Sequence, residues 1–438
     1  MNRRLKSAEG GKPAILGGTP IRKMGFAPHP VMGAEETSRV MKVLSSGQLS
    51  GFIANASAAF AGGGEVRELE RLFCRYLDVP HAVAMNSATS ALHAALLAAG
   101  VGPGDEVIVP PYTMSASASA IIMCGAVPVF CDVEADYYCL DPAQIEKCIT
   151  RRTRAILVVH LFGHAADMTR ILRIARRHRL RVVEDCAQAP GALWRKRYVG
   201  TLGDIGVFSL NQHKTITTGE GGVAVTRHPK LALKMQLVRN HGEVVADHLP
   251  QAAGMDVLGW NYRMTELHAA VAIGQFKRLD RLNGHRIRLA EYLNRRLNGL
   301  PGLRLPRTAA GAKHVYFVYP IRYDERAFGL PRPLLIRALS AEGIPFGAGY
   351  VRPIYLEPMY RRGRVFERSR FPFDFGRKTP ARYPKGLCPR TEALHAKGLI
   401  LTALCRYPLT TRDMQDVVDA FHKIHAWAPE ILRAQSPK

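Results

Sequence analysis

At 438 residues the chain is too long for one small core, so two domains, or one large domain with a smaller companion, are expected. A composition of 47% hydrophobic and 22% charged residues, with no apolar run of bilayer-spanning length, points to a globular protein with no membrane partner. The net charge of +25 is spread through stretches such as RILRIARRHRLR without interleaved aromatics, which ranks a solvated basic surface first, anionic small molecules second, and sets nucleic acid aside.

The opening MNRRLKSAEGGK is basic with no apolar core behind it, so no secretory signal is read there. Eight scattered cysteines, without C-x-x-C pairs or nearby histidine ligands, point to reduced thiols, a cytoplasmic protein and no metal centre. From residue 82 a rhythm begins. AVAM reads as a strand, Ser87 as an N-cap, and TSALHAALLAA as a helix ended by Gly100. EVIVP is a strand, SASASAIIMC a helix closing at Gly125, and VPVFCD a strand again. Asp141-Pro142 starts a helix, AILVVH is a strand, DMTRILRIARRH a helix and RVVEDCA a strand. These strands are short and β-branched, and the helices between them keep three-to-four spacing. The pattern predicts a doubly wound α/β sheet buried on both faces.

FSLNQHKTITTGEGG predicts a strand end, a turn and a glycine-rich return into a second strand, GGVAVT. The rhythm fades after residue 230. LHAAVAIGQFKRLDRLNGHRIRLAEYLNRRLNGL predicts a long, bent amphipathic helix bridging to a region that mixes strands (HVYFVYP) with helices (PLLIRALSAEG, MQDVVDAFHKIHAW). The expected division is a large α/β domain with an N-terminal arm over 1–280 and a smaller α+β domain over 281–438. Residues 360–382, rich in Arg, Phe and Pro, read as an inserted loop.

Four segments carry chemistry. NSATSAL puts Ala88 and Thr89 at a helix N-terminus directly after a strand, an anion site in principle, though alone it reads as an ordinary capped helix. VVEDCAQAPGA ends a strand on Glu184 and Asp185, and a buried carboxylate needs a partner: a protonated ring nitrogen of a cofactor or a structural arginine. Gln188 offers an amide nearby. Lys214, on the loop at a strand's carboxyl end, is an amine able to form a Schiff base if burial lowers its pKa, and Ser209 can donate to a phosphate. Phosphate cradle, ring-nitrogen carboxylate and lysine together are what pyridoxal 5'-phosphate requires. His160 and His164, flanking LFG at a strand end, read equally as substrate contacts or as structure, and His213 as an ordinary loop residue.

NSATSALHAAL, GPGDEVIVPPYT, RTRAILVVHLFGHAADM, VVEDCAQAPGA, GDIGVFSLNQHKTITTGEGG and LGWNYRMTELHAAVAIGQ, in that order, resemble the DegT/DnrJ/EryC1/StrS family of sugar and aminocyclitol aminotransferases. The resemblance implies the pyridoxal-phosphate-dependent transferase fold type I, aspartate-aminotransferase-like. It implies amino transfer from L-glutamine or L-glutamate to a keto-sugar or ketocyclitol through a Lys214 Schiff base and a pyridoxamine phosphate intermediate. Asp185 would face the pyridine nitrogen, Gln188 the ring hydroxyl, and Ala88, Thr89 and Ser209 the phosphate. Asn261 would reach the phosphate of a neighbouring subunit, making a homodimer with shared sites. Where the family stacks an aromatic on the cofactor this chain has Met114, so Met114 or Tyr112 takes that place, with Tyr112 also a substrate candidate. A dehydratase or aromatising enzyme of the same family, or a non-catalytic regulator, are the alternatives.

Overall fold

The computed structural model describes residues 11–435. Residues 1–10, which hold most of the basic opening stretch, and 436–438 lie outside the described residues. The alternation of short apolar strands with helices builds a seven-stranded sheet in the order β1 (His81–Met85), β9 (Gly222–Thr226), β8 (Ile205–Ser209), β5 (Arg181–Asp185), β4 (Thr153–Val159), β2 (Glu106–Val109) and β3 (Val127–Phe130). From β8 to β3 the neighbours are parallel, while β9 runs antiparallel to both β8 and β1. The expected all-round burial follows: β2, β8 and β9 are buried along their whole length. β6 and β7 (Leu193–Trp194, Arg197–Tyr198) form a small hairpin joined by β11 (Ala312–Lys313).

Helix Ala88–Ala98 begins at the predicted cap, where Ser87 Oγ accepts from Ser90 N at 3.0 Å. Its alanines let it pack close beneath the sheet with almost every side chain buried. Helix Met168–Arg177 is capped in the same way by Asp167, which accepts from Arg170 N at 3.1 Å. Both caps satisfy amides that would otherwise lack a partner, each an effect of about 1 kcal/mol.

A second core surrounds a four-stranded sheet, β10 (Leu303–Arg304), β12 (Tyr319–Tyr323), β14 (Leu399–Thr402) and β13 (Gly347–Ala348). Three expectations change here. The long helix breaks at Lys277–Arg278 into Glu266–Phe276 and Leu279–Leu297. HVYFVYP enters the sheet only at Tyr319, because Val315 N and Phe317 N donate instead to Gly163 O and Phe162 O across to the first core. The N-terminal arm, counted with the large domain, packs on the second core: Ile15, Leu16, Ile21 and Phe26 lie against it, and Glu342 accepts from Ala14 N and Ile21 N. Residues 360–382 clasp the β2–β3 end of the large sheet through buried Phe373 and Arg377, which pairs with Glu106 at 2.6 Å. Among the described residues no helix is long and apolar enough to cross a membrane.

Candidate active site

Sheet register places the site. Asp185 sits at the carboxyl end of β5 opposite Val207 of β8, two residues before Ser209. Ser209 pairs with Gly222, and Gly222 in turn pairs with Met85 at the end of β1. Three strand ends therefore bring Asp185, Ser209 and the start of helix Ala88–Ala98 to one edge, the edge where open α/β sheets take ligands. Gly222 has to be glycine: a Cβ there would lie 2.5 Å from Ala88 N. The helix N-terminus is thereby pressed against the β8–β9 turn, with Thr89 half-buried and Ser209 buried beside it.

Asp185 is 5% exposed, and its oxygens are held separately. Oδ2 accepts from Ser117 Oγ at 2.8 Å, and Oδ1 from Ala187 N at 3.0 Å. Ser117 comes from the small-residue run SASASA, which carried no sequence signal for this role. Lys214 lies on the loop after β8, half-buried, with Nζ 4.8 Å from the centre of the Phe317 ring. Burial lowers its pKa below that of a free lysine, and the charge of Asp185 opposes this without cancelling it. The lysine predicted as a Schiff-base amine and the carboxylate predicted for a ring nitrogen thus share one electrostatic environment.

Gln188 is oriented at both ends of its amide. Oε1 accepts from Phe162 N at 2.8 Å and Nε2 donates to the Tyr350 hydroxyl at 2.9 Å. Phe162 has φ of +58°, a conformation that costs a non-glycine residue on the order of 1–3 kcal/mol. The strain is held by hydrogen bonds from Phe317 N and to Gln188, which tie the second core to the site.

The substrate candidates are held by partners within the protein. His160 is fully buried; Nε2 pairs with Glu184 Oε2 at 2.9 Å and Nδ1 accepts from Ala166 N at 3.1 Å. His164 accepts from Ala309 N through Nε2 and donates from Nδ1 to Ala165 O. Neither ring has a nitrogen left for substrate, so both are structural. Glu184 also accepts from the amides of Gly200, Leu202 and Gly203, which accounts for its burial and leaves its grouping with His160 and Cys186 no open ligand position for a metal. Tyr112 is buried and its hydroxyl accepts from Tyr350 N at 2.9 Å. Met114 is 55% exposed at the loop after β2, and Asn261 is exposed, with its backbone carbonyl accepting from Asn86 Nδ2 at 3.4 Å.

The profile of the DegT/DnrJ/EryC1/StrS aminotransferase family matches residues 33–373. GDP-perosamine synthase of Caulobacter vibrioides is 41% identical over 300 residues, 68% of this chain and 79% of that protein. L-glutamine:2-deoxy-scyllo-inosose aminotransferase of Streptomyces kanamyceticus is 35% identical over 429 residues, 94% of this chain and 96% of that protein. The X-ray structure of S. venezuelae DesV in complex with a ketimine intermediate superposes with a TM-score of 0.75 at 34% identity, covering 90% of this chain and 94% of that one. The fold is that of these aminotransferases, a mixed α/β architecture consistent with fold type I. On the matched segments and the site they build, this chain is an aminotransferase of the DegT/DnrJ/EryC1/StrS family.

Proposed function

We propose that the protein uses pyridoxal 5'-phosphate to move an amino group from L-glutamine or L-glutamate to a keto-sugar or ketocyclitol. One observation carries the reading. A lysine of lowered pKa and a buried, doubly hydrogen-bonded aspartate meet at the ends of neighbouring strands, beside a helix N-terminus. That donor set fits the cofactor: an amine for its aldehyde, a carboxylate for its ring nitrogen, and amides with the hydroxyls of Thr89 and Ser209 for its phosphate. When bound, pyridoxal phosphate supplies the electron sink for the carbon that carries the amine.

The chain's own residues do the rest. Asp185, kept in place by Ser117 and Ala187 N, would hold a proton on the ring nitrogen. Lys214 Nζ, deprotonated more readily than a free lysine, would take the proton from the amine-bearing carbon and return it, as base and then acid. Gln188, its amide held by Phe162 N and the Tyr350 hydroxyl, would offer its remaining Nε2 hydrogen to the ring hydroxyl. Met114, on the loop after β2, or the buried Tyr112 would cover the ring. A second copy of the chain would contribute Asn261 to the phosphate, giving a homodimer whose sites span two chains of paired 1–280 and 281–438 domains. A cyclitol acceptor is supported by the inosose aminotransferase relatives, whose match runs through 94% of the chain, and a nucleotide-linked sugar by the GDP-perosamine synthase relative.

The test is direct. The cofactor is loaded with L-glutamine as donor, and the product of incubation with ketoses, nucleotide keto-sugars and inososes is read by mass spectrometry. Amination of one class identifies the acceptor. A protein that binds no pyridoxal phosphate, so that borohydride fixes nothing to Lys214, ends the reading.

A further inference from the structure

The loop that clasps the β2–β3 end of the large sheet is densely basic. Between Arg361 and Lys385, nine lysines and arginines stand against two acids, Glu367 and Asp374. Arg361, Arg362, Arg364, Arg368, Arg370 and Arg382 are exposed, and among the described residues none of these six has an ion-pair partner. Arg377 is the exception, spent on Glu106. The loop is fixed at its base. Phe373 is fully buried, the Tyr383 hydroxyl donates to Pro128 O at 2.9 Å, and Arg152 donates to Gly376 O. The free cations are therefore carried on a rigid mount.

Apolar side chains share this surface. Phe366 is 55% exposed and Phe375 49%, each within two residues of an arginine. Phe375 meets Phe371 edge to face, with ring centroids 5.6 Å apart. Phe371 in turn lines a groove with Leu97, Met123 and Leu258, of which Met123 and Leu258 are themselves exposed. An exposed apolar patch rimmed by charge marks a contact surface.

The mixture narrows what it contacts. A small phosphate ligand would gain nothing from exposed phenylalanines. A single nucleic-acid strand stacks its bases on open aromatic faces, but Phe371 and Phe375 are turned onto one another, and Met123 and Leu258 offer no ring. A bilayer with anionic headgroups takes every member: arginines stay with the phosphates while aromatic and aliphatic side chains enter the acyl boundary. We propose that the 361–385 loop docks the protein on an anionic lipid surface, with Phe366 and Phe375 inserted. The chain lies on that surface without crossing it. The expectation of no membrane partner rested on the lack of a spanning run, and that lack does not bear on surface contact. The inference is independent of the chemistry at Lys214.

The test floats the full chain with vesicles of phosphatidylcholine alone and of an equal mixture of phosphatidylcholine and phosphatidylglycerol. The protein should float only with the mixed vesicles and should be released by high salt. Each arginine near an anionic surface strengthens binding roughly fivefold, so the triple variant Arg364→Gln, Arg368→Gln and Arg370→Gln should bind roughly 100-fold more weakly. The same three positions changed to Lys should keep most of the binding. Phe366→Ser should weaken it roughly tenfold, the scale of leaving one aromatic side chain in water. Phe366→Trp should float normally and be quenched by brominated acyl chains beyond the wild type. These side chains are exposed, so unchanged thermal midpoints certify that the variants fold. Failure to float with mixed vesicles overturns the inference, as does equal binding to phosphatidylcholine alone or binding that survives the three Gln substitutions. Wild-type binding by Phe366→Ser, with no added quenching in Phe366→Trp, overturns it by leaving only diffuse charge attraction. Tighter binding to a single-stranded oligonucleotide than to the mixed vesicles overturns it in favour of nucleic acid. A change of oligomeric mass in these variants with unchanged flotation overturns it too, assigning the surface to a second copy of the chain.

Discussion

Ser117 donates its hydroxyl to Oδ2 of Asp185 at 2.8 Å, in a sheet end where both side chains are withdrawn from solvent. Removing the carboxylate's charge and removing its support should therefore differ in scale. Asp185→Asn should keep the fold and lower turnover by roughly 10² to 10³ or more, the range for losing a preorganised charge contact. Ser117→Ala removes one hydrogen bond to a charged group, about 1.5–3 kcal/mol, and should cost far less. Steady-state turnover of both variants decides it; near-normal activity in Asp185→Asn would mean that another acid serves the ring nitrogen.

The proton affinity of Lys214 offers a second check. Burial lowers its pKa and Asp185 raises it, so the pH at which the apo protein begins to capture pyridoxal phosphate should lie below that of free lysine. Asp185→Asn removes the only opposing influence and should move the midpoint lower still. The rate of cofactor capture against pH, followed by absorbance, measures both. A midpoint that rises in Asp185→Asn contradicts the electrostatic account.

A third prediction addresses subunit sharing. If Asn261 serves the partner's phosphate, a mixed dimer of Lys214→Ala and Asn261→Ala chains contains one site with both lesions and one with neither. Asn261→Ala alone should weaken cofactor retention by about 1.5–3 kcal/mol. Co-expressed chains should then exceed the summed activity of the two homodimers. No recovery in dimers verified as mixed would assign Asn261 to its own chain.

Stability should fall in mild acid. His29, His93 and His164 all have pKa values lowered from 6.5 to about 4, with burial the largest cause in each. As the pH drops below 6.5 the unfolded chain takes up these protons while the folded chain resists until near 4, so the unfolded state binds more protons and is favoured. The contribution is complete above 6.5 and is lost progressively down to about 4. Thermal unfolding from pH 7.5 to 4.5 should give a declining midpoint, less steep in His164→Asn. An unchanged midpoint across that range would refute the neutral burial of these rings.

The local chemistry was legible in the residues because it is carried by short, contiguous patterns. The cap at Ser87, the β-branched strands, the carboxylate closing β5 and the lysine after β8 each depend on neighbours within a few positions, and each falls where periodicity and turn residues put it. Their convergence followed from the resemblance and from the rule that such sheets bind ligands at their carboxyl edge.

What could not be read were contacts between residues far apart in the chain. Ser117 reaches Asp185 across 68 positions and Tyr350 reaches Gln188 across 162, and nothing near a serine in SASASA or a tyrosine in GAGY marks either as a site residue. The same limit explains why His160 and His164 read equally as substrate contacts or as structure. A histidine at a strand end has the same local signature whether its nitrogens face a ligand or are consumed by Glu184, Ala166 or Ala309. Hydrogen bonding saturates: each nitrogen and hydroxyl has few places to give, and only the folded arrangement determines which distant group has already filled them.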